Sequence, residues 1–80
     1  MDDQILLQRI NELATEEHAL FQKEAAAEAT DGEKRRLKNI EVTLDQCWDL
    51  LRQRRARRTA GLDPDAAEMR DTTTVEGYIG

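Results

Sequence analysis

The sequence contains one cysteine, one proline, four glycines and three aromatic residues in 80 positions. A lone cysteine excludes an intramolecular disulfide and a multi-cysteine metal site, and so few glycines and prolines argue against the many turns of a β-sheet fold. No apolar run approaches the roughly 20 residues that span a bilayer. The two aspartates after Met1 stand where a signal peptide has basic residues. We therefore expect a cytoplasmic protein without a membrane segment.

Charge is abundant instead, at 36% of the residues against 39% hydrophobic ones, a composition typical of long exposed helices. Residues 1–32 carry a net charge of −6, residues 33–60 carry +5 and residues 61–80 carry −4. These segments can neutralise one another within one molecule. Eighty residues form one domain with a small core, so we expect a protein partner or a homo-oligomer to add to it.

Two helices are predicted, over residues 3–28 and 33–60. Each has apolar residues at spacings of three and four that fill an arc of about 100°. In the first helix these are Leu6, Ile10, Leu13, Leu20 and Phe21, and in the second Leu37, Ile40, Leu44, Cys47, Trp48 and Leu51. Gly32 is predicted to end the first helix in a left-handed conformation, and Thr30 or Asp31 to cap the second.

The short connection between the helices predicts an antiparallel arrangement in which residue numbers summing to about 62–64 lie side by side. The fold class is therefore all-α, a coiled-coil-like two-helix hairpin over residues 1–60. Residues 61–80 are predicted to add a short helical turn, beginning at Asp63 and Pro64, and an extended C-terminal tail. Four apolar residues are surplus to a two-helix seam and predict a contact with the tail or a second copy: Ile5, Leu7, Val42 and Leu50.

Several motifs resemble a family of short actinobacterial proteins catalogued as a domain of unknown function. They are Glu16-Glu17-His18, the block from Leu44 to Arg58 that begins Leu-Asp-Gln-Cys-Trp-Asp-Leu-Leu-Arg-Gln-Arg-Arg, Asp63-Pro64-Asp65 and Val75-Glu76-Gly77-Tyr78. The resemblance covers most of the chain. It implies a stand-alone cytoplasmic protein of bacterial origin, and it transfers no catalytic or binding residues.

Five arginines lie within the seven residues 52–58 and offer several guanidinium groups to phosphates. The simpler interpretation is internal pairing, because cations suit a helix C-terminus and the antiparallel arrangement brings the acidic start of the first helix beside them. The candidate interaction residues are Trp48, Leu51, Arg52, Arg54, Arg55, Arg57, Arg58 and Tyr78. Trp48 is expected to pack on the first helix or, if it lies open, to anchor a protein interface.

The sequence contains little evidence for a catalytic site. Glu17 and His18 do not match the Glu-x-x-His spacing of carboxylate-bridged metal sites, since Thr15 precedes His18 by three residues. Cys47 lies on the apolar stripe, where cysteine usually acts as a small hydrophobe, although the predicted pairing would bring His18 close enough to activate it. We therefore expect no catalytic residue, no metal, no cofactor and no enzyme activity.

The function predicted from these features is a small protein-interaction module that works through helix-face contacts, including self-association into a dimer. The alternative is a nucleic-acid or phosphate-binding accessory protein that uses the arginine cluster, although no aromatic residue is interleaved with the arginines for base stacking.

Overall fold

A computed structural model describes residues 2–70 of the chain. Helix α1 spans Asp3–Ala25, helix α2 spans Asp31–Thr59, and a 3-10 turn spans Pro64–Ala66. The two helices pack against each other and the described residues contain no strand, which confirms the predicted all-helical hairpin. The predicted extended C-terminal tail falls largely outside the described residues.

Asp2 caps the N-terminus of helix α1, since its carboxylate accepts a hydrogen bond from the backbone N–H of Ile5 at 2.8 Å. The helix ends three residues earlier than predicted, in a Schellman motif in which the Glu28 N–H donates to the Lys23 carbonyl at 2.8 Å. The residue with positive φ in this motif is Ala27, at 59°. The prediction that Gly32 ends α1 is wrong, because Gly32 lies inside the first turn of α2.

Helix α2 begins with a complete capping box, as the Thr30 hydroxyl accepts from the Glu33 N–H at 3.1 Å and the Glu33 carboxylate accepts from the Thr30 N–H at 3.0 Å. This confirms Thr30 as the cap and starts α2 two residues before the predicted position. The Glu33 carboxylate also pairs with Lys23 of α1 at 2.6 Å, across the turn of the hairpin. Gly61, at a φ of 75°, ends α2 in a second Schellman motif.

The core is a seam of apolar residues between the two helices. Its buried members are Leu6, Ile10, Leu13, Leu20, Leu37, Ile40, Leu44, Cys47, Leu50 and Leu51. Two residues predicted for the apolar arcs lie largely outside it, since Phe21 is 46% exposed and Trp48 is 43% exposed. Both sit at the edge of their arc rather than at its centre. Ile5 and Leu7, which the sequence places outside the two-helix seam, are exposed.

The antiparallel register differs from the predicted one. Asp3 pairs with Arg54 and Arg58, and Glu16 pairs with Arg36, so paired residue numbers sum to 52–61 instead of 62–64. The difference follows from the early end of α1, which moves the centre of the turn back by about three residues. The residues that face each other across the seam shift accordingly.

The segment after α2 returns along that helix and fastens to it through side-chain to backbone hydrogen bonds. Gln46 donates to the Arg70 carbonyl at 3.2 Å, and Gln53 donates to the Glu68 carbonyl at 2.8 Å. Ala67 packs against the core, which now includes Leu50 at 7% exposure. Leu50 was predicted as surplus to the two-helix seam and in contact with the tail or a second copy, and it is buried in the cluster against which Ala67 packs. Asp63 caps the 3-10 turn, as predicted.

Candidate interaction surface on helix α2

The arginine cluster of α2 divides into members that are paired within the molecule and members that are not. Arg54 is the most buried, with 5% of its surface exposed. Its Nε donates to Asp3 Oδ1 at 2.6 Å, and its Nη1 donates to Asp65 Oδ1 at 3.0 Å and to the Pro64 carbonyl at 3.2 Å. This guanidinium therefore joins the start of α1, the C-terminal part of α2 and the 3-10 turn.

Arg57 and Arg58 are also satisfied internally. The Nε of Arg57 donates to the Asp63 carbonyl at 2.7 Å, and the Nη2 of Arg58 donates to Asp3 Oδ2 at 2.9 Å. The hydrogen bond from Arg54, supported by that from Arg58, lowers the pKa of the Asp3 carboxyl below its ordinary value. The same contact raises the pKa of Arg54 further above neutrality. These three arginines are structural cations in this fold.

Arg52 and Arg55 are different, because both are exposed and neither side chain makes a hydrogen bond or an ion pair with any residue between 2 and 70. Trp48 precedes them by four and seven residues, so all three side chains lie on one face of α2. Leu51, at 1% exposure, points into the core instead. Tyr78, the remaining predicted interaction residue, lies outside the described residues.

The open face continues toward the start of α2 through Asp45 and Glu41. Both are half-buried, and neither carboxylate has a hydrogen bond or ion pair inside the described part of the chain. At 100° per residue, five residues fall within an arc of about 80°. We call them the α2 stripe, which consists of Glu41, Asp45, Trp48, Arg52 and Arg55. The sequence did not single out the two acids, although they precede Trp48 by seven and three residues, spacings that place them on its face of the helix.

A second buried charge, Asp49, lies next to the α2 stripe, one helical turn after Asp45. Asp49 is 3% exposed, accepts a hydrogen bond from Gln53 at 2.9 Å and pairs with Arg70 at 3.3 Å. No periodic pattern marked Asp49 as buried, because its partner comes from the segment that returns after α2. This contact helps to fix that segment at the edge of the α2 stripe.

Cys47 and His18 do not form the pair considered from the sequence. His18 bonds to Gln22 on its own helix at 3.2 Å, and the observed register places it beside residue 38, about 13 Å along the axis from Cys47. Burial raises the pKa of the Cys47 thiol, opposed only by the positive charge of Arg9. From residue 2 to residue 70, no group of three His, Cys, Asp or Glu side chains is placed to hold a metal ion.

The structure is therefore that of a small all-helical hairpin protein. Most arginines of its cluster are paired internally, and one face of α2 that carries both acidic and basic residues is open. The chain belongs to the family described as protein of unknown function (DUF2630), whose model matches residues 2–80. This confirms the resemblance seen in its motifs.

The similar proteins include uncharacterized proteins of Mycobacterium tuberculosis and Mycobacterium bovis. Each is 47% identical over 79 residues, which cover 98% of this chain and 91% of the relative. No solved structure matches the chain. Neither helix within residues 2–70 is long and apolar enough to cross a membrane.

Proposed function

We propose that this protein is a protein-interaction module that binds its partner through the α2 stripe. The observation that carries the proposal is the exposure of Trp48, which is 43% open to solvent and is followed on the same face by two arginines whose side chains have no partner among residues 2–70. Tryptophan and arginine are the residues most enriched at the energetic centres of protein interfaces. Because the other three arginines of the cluster hold the fold together, Arg52 and Arg55 are the ones available for binding.

The exposed position of Trp48 is not explained by a contribution to folding stability. An exposed tryptophan contributes little core packing, whereas Leu51 on the same helix is almost fully buried. We expect Leu51→Ala to destabilise the protein by roughly 2–5 kcal/mol, as truncations of buried leucines do. Trp48→Ala should leave the fold intact, so the side chain can be removed to test binding alone.

Nucleic-acid or phosphate binding is the second candidate function, supported by the same two unpaired arginines. The stripe itself opposes it, because Glu41 and Asp45 place two negative charges in line with the two positive ones. A phosphate backbone would meet both signs along this face. Titration with nucleic acid at low and moderate salt tests the alternative, and binding that weakens steeply with salt and is lost in Arg52→Glu/Arg55→Glu would favour it.

Affinity capture from nuclease-treated bacterial lysate tests the leading proposal, with an untagged copy of the protein included as potential prey. We expect a protein to be retained by the wild type and lost from both Trp48→Ala and Arg52→Glu/Arg55→Glu. The matched control is Lys34→Glu/Arg35→Glu, which makes the same charge change at two exposed, unpaired cations about 20 Å from Trp48 on the same helix.

The control variant should capture as the wild type does, and all variants should show the wild-type helical circular dichroism. Retention that is unchanged by the stripe variants would refute the proposal. Equal loss in the control would show that net charge, rather than the stripe, governs capture.

A further inference from the structure

We infer that the partner fitted by the α2 stripe is a second copy of this chain, packed with its α2 antiparallel to the first about a two-fold axis at Trp48. The inference rests on the proposed function, whose partner it names. It is carried by the order of charges along the stripe, which is acidic before Trp48 and basic after it. Such a surface is complementary to itself when one copy is turned end for end.

The positions of the charges fit this symmetry. In two antiparallel helices related by an axis at residue 48, residues whose numbers sum to about 96 face each other. Asp45 and Arg52 sum to 97, and Glu41 and Arg55 sum to 96, so each acid faces a base of the other copy. The offset of one residue in the first pair is about 1.5 Å along the helix, well within the reach of an arginine side chain.

The spacing of the stripe also suits helix–helix packing. Its residues follow one another by four, three, four and three positions, the 3.5-residue repeat that keeps one face toward a partner helix over its whole length. The residues of α2 that pack against α1, including Cys47 and Leu51, lie at other positions around the helix. The stripe is therefore a second, separate face of α2. Packing two hairpins through it gives an antiparallel four-helix arrangement.

Trp48 would lie on the axis and contact its own equivalent, which removes the exposed aromatic surface from water in both copies. All four charges of the stripe lack partners in residues 2–70, so pairing with the second copy breaks no existing ion pair. The stripe carries two acids and two bases and so has no net charge. Two copies of this acidic chain therefore meet at a surface that does not repel.

A charge-exchange experiment tests the register. Arg52→Glu/Arg55→Glu makes the stripe wholly acidic, and Glu41→Arg/Asp45→Arg makes it wholly basic. Each variant alone should self-associate more weakly than the wild type by on the order of a hundredfold, since every attractive contact becomes a like-charge contact. An equimolar mixture of the two should form a heterodimer, and the variant with all four substitutions should again form a homodimer. Sedimentation and light scattering measure the masses.

Trp48, the sole tryptophan of the chain, supplies an independent reading. Its emission should shift to shorter wavelength as wild-type protein is concentrated, and also when the acidic and basic variants are mixed. Lys34→Glu/Arg35→Glu should associate as the wild type does. Because the mixture and the fourfold variant restore association, a misfolded double variant cannot imitate the expected pattern.

A wild type that remains monomeric at all concentrations, or a mixture of folded acidic and basic variants that stays monomeric, would overturn the inference. If a different protein is still captured through the stripe, the proposed function stands and only the identity of the partner is wrong. If neither self-association nor stripe-dependent capture occurs, both fail.

Discussion

The end of α1 allows a quantitative test of the hairpin turn through Ala27→Gly. Ala27 has a φ of 59°, in the left-handed region that costs an L-residue with a Cβ roughly 1–2 kcal/mol. Glycine removes this cost but has more conformational freedom to lose on folding, a penalty of about 0.4–1 kcal/mol. The balance predicts a gain of about 0.5–1 kcal/mol in the free energy of unfolding. For a domain of this size the melting temperature should rise by roughly 2–8 °C.

The matched control is the neighbouring substitution Ala26→Gly. Ala26 has a φ of −85°, which alanine adopts without strain, so glycine there should lower stability by about 0.5–1 kcal/mol. Urea unfolding and thermal melting at one fixed protein concentration measure both variants, since self-association would otherwise shift the midpoint. A neutral Ala27→Gly, or one that destabilises the protein as Ala26→Gly does, would show that Ala27 is not strained in the turn.

Two further predictions concern titratable groups. Because the Asp3 carboxyl has a lowered pKa in the folded protein, its contribution to stability is present at neutral pH and lost as pH falls through that folded pKa. Asp3→Asn should therefore lose stability at pH 7 and show a smaller further loss on acidification, in urea titrations at both pH values. The Cys47 thiol has a raised pKa, so the unfolded chain releases its proton first and stability should fall as pH rises beyond the ordinary thiol range. Cys47→Ala should remove that part of the pH dependence, and a thiol reagent should label native protein slowly and denatured protein fast; rapid native labelling would contradict the burial.

The amino-acid sequence predicted the helices well because their signals are local. The apolar residues repeat at spacings of three and four, Thr30 and Glu33 form a capping box three residues apart, and Asp63 precedes Pro64 at the start of the final turn. The end of α1 was misplaced because the sequence offers a glycine at position 32, whereas the chain turns at Ala27. A short chain reversal can use an unfavourable residue when the helices on both sides are held by packing.

The candidate surface was only half predicted. Trp48 and the arginine cluster stand out by residue type, but a helical wheel does not say which edge of an apolar arc is covered. The buried residues of α2 repeat every 3.5 residues, whereas a straight helix has 3.6 residues per turn. The buried face therefore rotates around α2 by about 20° per heptad, away from Trp48 and toward Leu50 and Arg54. The segment after α2 then covers Leu50 and is held there by hydrogen bonds from Gln46 and Gln53. The spacing of residues in the sequence does not predict these hydrogen bonds.

The sequence by itself therefore determined the all-helical class, the two helices, their antiparallel order and the acidic and basic segments. Each of these depends on residues a few positions apart. Only the tertiary structure decided which arginines are available for binding, because Arg54 and Arg58 find their common partner, Asp3, some fifty positions away along the chain. A shift of the register by one turn would redistribute those ion pairs. The register was set by the length of α1 and by packing along the seam, and it left Arg52 and Arg55 beside an open Trp48.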